Sequence, residues 1–96
     1  MTRNDVFQII SNHWANFSQF KVSAIFIFGS FARDEAKPSS DVDILVEFHE
    51  PIGLFEFVRL KKYFETILNR NVDLVTKDAL KPQLRAGILK EALRAA

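Results

Sequence analysis

The chain has 96 residues, with 13 Lys and Arg against 12 Asp and Glu. Its formal net charge of +1 argues against a polybasic nucleic-acid binder and an acidic disordered tail. There is no cysteine, hence no disulfide framework and no thiolate nucleophile or ligand. No apolar run approaches the ~20 residues of a membrane span and no apolar signal core opens the chain, so the expected location is cytoplasmic. Ten residues are Phe, a heavy aromatic load for this length, enough to serve a partner surface as well as a core.

Residues 4–20 carry Val6, Ile9, Ile10, Trp14 and Phe17 at helical spacing, with Asn4 or Asp5 placed to cap the helix. His13 reads as a partly buried residue of that helix. Residues 22–28, VSAIFIF, form a buried strand that stops at Gly29. A short helical turn is expected over 30–36 and a loop over 37–40. Residues 42–48, VDILVEF, are a second strand, followed by a turn over 50–53. The spacing predicts a helix over 54–69 whose stripe of Leu54, Phe57, Val58, Phe64, Ile67 and Leu68 is widened by Phe55, Leu60 and Tyr63. A third strand follows at 72–76, VDLVT. A last helix is predicted from about Leu80 to Leu93, with Pro82 in its first turn and Leu80, Leu84, Ile88 and Leu89 on its stripe. The order α-β-(α)-β-α-β-α gives an α/β domain with a small sheet. The 13-residue segment Gly29 to Asp41 allows either a hairpin or a crossover, so strand direction stays open.

Chemistry concentrates in Gly29 to Val46, GSFARDEAKPSSDVDILV. A buried strand ends in Gly29-Ser30. Gly lets backbone approach a ligand, and unpaired N–H groups at such a turn suit phosphate. Asp41 and Asp43 are two residues apart at the start of a strand, so both carboxylates share one face. Their repulsion is relieved by a divalent cation, and oxygen donors suit Mg²⁺ or Mn²⁺. Asp73 sits in an otherwise apolar strand 30 residues further on, with a helix between, which is enough chain to lay it beside the first two. Three strand-borne acids beside a phosphate-cradling turn point to metal-assisted phosphoryl or nucleotidyl transfer. No Gly-x-x-x-x-Gly-Lys or Gly-x-Gly-x-x-Gly is present, which removes the P-loop and Rossmann readings. His49 has no second His at metal spacing, so no zinc site is expected.

GSFARDEAKPSSDVDILV resembles the G-S-x-A-R-G…S-D-x-D-[LI]-x-V signature of the polymerase-β-type nucleotidyltransferase superfamily. With VDLVT and the tail ALKPQLRAGILKEALR, the chain is similar to its minimal branch, the MNT domain of MntA-like antitoxins. The resemblance implies one minimal nucleotidyltransferase domain over 1–96, a small mixed β-sheet flanked by helices around a polymerase-β-like core. It implies that Gly29, Ser30, Arg33 and Ser40 bind nucleotide, that Asp41, Asp43 and Asp73 are catalytic and bind Mg²⁺, with Mn²⁺ as an alternative, and that ATP is the substrate. It further implies a HEPN-domain toxin as partner in a hetero-oligomer of type VII-like toxin–antitoxin kind, modified by AMP on a tyrosine hydroxyl. Two alternatives remain: an antitoxin that inhibits by complex formation alone, and a small-molecule nucleotidyltransferase whose partner subunit supplies the acceptor site. Neither a membrane nor sequence-specific nucleic acid is an expected partner. One position departs from the signature, Asp34 in place of the usual Gly. If that position needs positive φ, Asp tolerates it better than most residues; if the Gly makes room for phosphate, Asp34 adds charge of the wrong sign. The tail from Lys77 onward is a net +3 strip that fits an acidic or phosphate-bearing surface as well as plain solvent.

Overall fold

Strands β1 (Val22–Phe28), β2 (Val42–Phe48) and β3 (Val72–Thr76) occupy the three predicted apolar runs. A fourth strand, β4 (Leu93–Arg94), joins them in one sheet of order β3-β2-β1-β4 in the computed structural model, which describes all 96 residues. β1 runs antiparallel to both β2 and β4, whereas β2 and β3 are parallel. The sheet is therefore mixed, and the segment from Gly29 to Asp41 is a long connection between antiparallel neighbours. The parallel pair is joined by helix α4 (Leu54–Leu68), the crossover that parallel strands require.

The two faces of the sheet are unequal. Ile25 and Ile27 of β1, Val42, Ile44 and Val46 of β2, and Val72 and Leu74 of β3 point to one side. There they meet Val6, Ile10, Phe17, Leu60, Phe64 and Leu68 from the covering helices. The opposite face is thinner: Phe28 and Leu45 pack with Leu80, bordered by Phe26, Val75 and Ile88. Helix α5 (Pro82–Glu91) covers only part of that side. The odd-numbered residues of β2 thus face a side with room for polar groups.

The first helical segment differs from its prediction. It is broken at His13 into α1 (Arg3–Asn12) and α2 (Trp14–Phe17), followed by a 3-10 turn over Ser18–Phe20. The polar run at the break bonds locally: the Ser11 hydroxyl donates to the Phe7 carbonyl (2.8 Å) and His13 Nδ1 to the Ile9 carbonyl (2.7 Å). The cap is Thr2 rather than Asn4 or Asp5. Its hydroxyl accepts from the Asp5 N–H while Asp5 accepts from the Thr2 N–H, a capping box. The predicted turn over 30–36 is a shorter helix, α3 (Gly29–Ala32). The α4 stripe is also rotated. Leu60, Phe64 and Leu68 are fully buried, whereas Leu54, Phe55 and Val58 are exposed. In α5, Leu84 and Leu89 are exposed and Ile88 is half-buried.

The last helix stops at Glu91 instead of continuing to Leu93. Ala-Leu-Arg-Ala-Ala favours helix by propensity, but β1 would otherwise present an open apolar edge. Pairing of Phe26 with Arg94 and Ile27 with Leu93 closes that edge, and Ala95 N–H donates to the Ile25 carbonyl (2.8 Å).

Nine of the ten Phe are buried or half-buried, and Phe55 alone is exposed. Phe17 stacks on Phe64 with centroids 4.7 Å apart and meets Tyr63 edge-on at 5.4 Å. Most of the aromatic surplus is thus core, pinning α2 to α4. Phe64→Ala is expected to cost about 3–5 kcal/mol by loss of transfer energy and cavity formation. Urea unfolding followed by circular dichroism measures it.

Candidate active site

Asp43 lies in β2 directly opposite Asp73 in β3 in the parallel register, and opposite Phe28 in β1 on the other side. Register partners in a parallel pair share a face, so the Asp43 and Asp73 side chains stand side by side on the thinner face. Asp41, two residues before Asp43, is directed to that face by the same alternation and is exposed. Asp73 is exposed, while Asp43 is half-buried. The three acids are thus brought to one end of one face. No three acidic or imidazole side chains are close enough to form a ready-made cation cage.

Burial pushes the Asp43 carboxyl up to about 6 from its ordinary value of 3.8, and repulsion from Asp73 and Asp41 adds to this, with Arg33 opposing. Folded Asp43 therefore holds its proton more tightly than unfolded Asp43 between those two values. Its contribution to stability is greatest below the lower value and is lost as pH rises through the upper one.

Gly29 is next to this carboxylate. Its φ is +71°, and a Cβ there would overlap Asp43 Oδ2 and lie 3.0 Å from Asp43 Cγ. Only glycine meets both conditions. Asp34 has φ 59° and so occupies the left-handed region, which accounts for glycine at this position of the signature on backbone grounds. Arg3 Nη1 donates to the Ala32 carbonyl (2.9 Å), tying the end of α3 to α1.

The donors of this turn are engaged. Gly29 N–H donates to Glu91 Oε1 (2.9 Å), and Arg33 Nη1 donates to Glu91 Oε2 (3.0 Å). Arg33 Nε also reaches Glu35 (3.3 Å). Ser30 is half-buried beside Gly29. Ser40 uses its hydroxyl to accept from Lys37 N–H (2.8 Å), closing the turn over 37–40. Arg70 fastens the same loop, with Nη1 donating to the Pro38 (2.8 Å) and Ser40 (3.2 Å) carbonyls and its guanidinium 5.4 Å from the Phe31 ring centroid.

Glu91 and Arg70 were not singled out by sequence reasoning. Arg70 lies outside any motif. Glu91 reaches the turn with its side chain from the end of α5, just before β4 pairs with β1, and nothing in its local sequence signals that pairing. Phe28 and Phe31 are buried, so they serve the core. A groove of about 980 Å³ lies at the far end of the strands between Phe48, Phe57 and Leu74, away from the acids.

Residues 10–95 match the nucleotidyltransferase domain family. The chain belongs to that family. It is 39% identical over 94 residues to the protein adenylyltransferase MntA of Thermococcus cleftensis, covering 97% of this chain and 95% of the relative. A solved structure assigned as a minimal nucleotidyltransferase superposes with a TM-score of 0.83 at 33% identity, over 97% of this chain and 95% of that one. A chain of the complex of tri-AMPylated Shewanella oneidensis HEPN toxin with MNT antitoxin has a TM-score of 0.66 at 19% identity. It covers 94% of this chain and 71% of that one, a likeness of fold alone. The minimal nucleotidyltransferase resemblance and the mixed-sheet fold expected from the signature both stand. No helix of this nucleotidyltransferase is long and apolar enough to cross a membrane.

Two outcomes test the geometry. Asp43→Asn should raise the thermal midpoint near neutral pH and flatten the decline in stability between the ordinary Asp value of 3.8 and about 6, read by thermal unfolding across that range. Gly29→Ala should cost about 1–3 kcal/mol from left-handed strain, with further loss from displacing Asp43, measured by urea unfolding.

Proposed function

We propose that this nucleotidyltransferase transfers AMP from ATP to a tyrosine hydroxyl of a HEPN-type partner protein and thereby acts as an antitoxin. The observation that carries this reading is the placement of Asp41, Asp43 and Asp73 on one sheet face beside the Gly29–Arg33 donors. Two printed relationships support it. One relative is named a protein adenylyltransferase, and one structural neighbour belongs to a complex whose HEPN toxin is AMPylated.

The donor set fits a divalent cation: three hard carboxylate oxygen donors, one of them raised in pKa by burial and then by its acidic neighbours. Asp41, Asp43 and Asp73 would hold Mg²⁺, or Mn²⁺, which when bound offsets phosphate charge and acidifies the acceptor hydroxyl. The Gly29 N–H, the Ser30 hydroxyl and the Arg33 guanidinium bind the triphosphate. Ser40 and Arg70 fix the loop that delivers Asp41. Asp73, exposed on β3 beside Asp43, orients the acceptor and takes its proton as the hydroxyl oxygen attacks the α-phosphorus and pyrophosphate departs. Exposed Leu54 and Phe55 beside the groove at the other end of the sheet supply an apolar face for the partner.

Labelled ATP incubated with this chain and a HEPN-domain protein from the same genome should label that protein. Asp41→Asn and Asp43→Asn should each lower the rate by about 10³-fold, near 4 kcal/mol of transition-state stabilisation. Transfer that persists in the double variant would overturn the site. Toxin neutralisation that survives with transfer abolished would favour inhibition by occlusion.

A further inference from the structure

We infer that Glu91 is an internal competitor for the nucleotide phosphate: its carboxylate sits on the donors that the triphosphate needs and must leave for ATP to bind. The inference rests on the reading of Gly29 and Arg33 as phosphate donors.

Three observations carry it. The first is position. Glu91 is the last residue of α5, two residues before β4 pairs with β1 at Leu93 and Ile27, and Gly29 lies two residues beyond Ile27, so the end of α5 is held beside the turn. The second is chemistry. One carboxylate oxygen accepts from the Gly29 N–H at 2.9 Å and the other from Arg33 Nη1 at 3.0 Å. Two oxygens of one anion spanning a backbone N–H and a guanidinium is the pattern a phosphate group would present. The third is charge. Glu91 adds a carboxylate to a region that already holds Asp43, Asp41 and Asp73, with Arg33 the cation that faces it. A triphosphate carries more negative charge than one carboxylate and arrives with its own cation, so it can displace Glu91.

The exit is open. The Glu91 side chain retains 31% exposure, and the cap bond from Ala92 N–H to the Ile88 carbonyl (2.9 Å) does not involve the carboxylate. Rotation of the side chain into solvent leaves α5 and the β1–β4 pairing intact. If Glu91 is seated about nine-tenths of the time, the apparent affinity for ATP is reduced about tenfold relative to the open site.

A purely structural brace predicts the opposite sign, because removing a brace from Arg33 and Gly29 would weaken nucleotide binding. The test is calorimetric titration of the full chain and of Glu91→Gln and Glu91→Ala with a non-hydrolysable ATP analogue and Mg²⁺. Both variants should bind the analogue more tightly than the parent, Glu91→Ala by about tenfold. Glu91→Gln keeps the shape of the side chain and guards against misfolding, which circular dichroism and thermal unfolding monitor. Equal or weaker binding by folded Glu91→Gln overturns the inference and leaves the nucleotide site standing. No binding by the parent or either variant overturns the nucleotide reading itself, and the inference with it.

Discussion

The two-residue period of β2 is the constraint on which the rest depends. Val42, Ile44 and Val46 go to one face and seal the core; Asp43, with Asp41 ahead of it, goes to the other. A shift of register by one residue would bury a carboxylate and expose three branched side chains, so the packing of α1 and α4 against the sheet also fixes where the acids point. Parallel pairing with β3 extends the rule, since whatever sets Asp43 on the open face sets Asp73 beside it. The core and the site are two readings of one alternation.

That arrangement carries an electrostatic cost. Asp43 is half-buried among like charges, and its raised pKa records the tension. The fold supplies three counterweights: Arg33 beside the turn, the Arg70 clamp on the loop before Asp41, and packing strong enough to hold the acids together. The stacked Phe17–Phe64 pair and the buried Leu60 and Leu68 lie behind the same strands. An aromatic surplus that looks excessive for so short a chain is well used when one sheet face gives little apolar burial.

Much of this is legible in the residues. The three long strands fall on VSAIFIF, VDILVEF and VDLVT because apolar, β-branched runs between turn residues leave few alternatives, and the acids follow by parity. What the residues conceal is long-range. The rotation of the α4 stripe to Leu60, Phe64 and Leu68 depends on where the sheet lies, and an over-wide apolar face permits more than one choice. The break at His13 reflects local hydrogen bonding that apolar spacing does not register. β4 runs against its own helix propensity because the open edge of β1 decides the matter, and Glu91 is hidden with it.

Gly29 and Asp43 are in contact closely enough that neither position can take a larger side chain alone. A side chain at 29 needs the carboxylate to move, and a longer acid at 43 needs space that the glycine backbone already fills. Reshaping this corner one residue at a time meets a clash before it meets a benefit. A designer seeking a different substrate or metal would do better to leave this pair untouched and work on Ser30, Arg33 and Asp73, whose side chains are at least partly open to solvent.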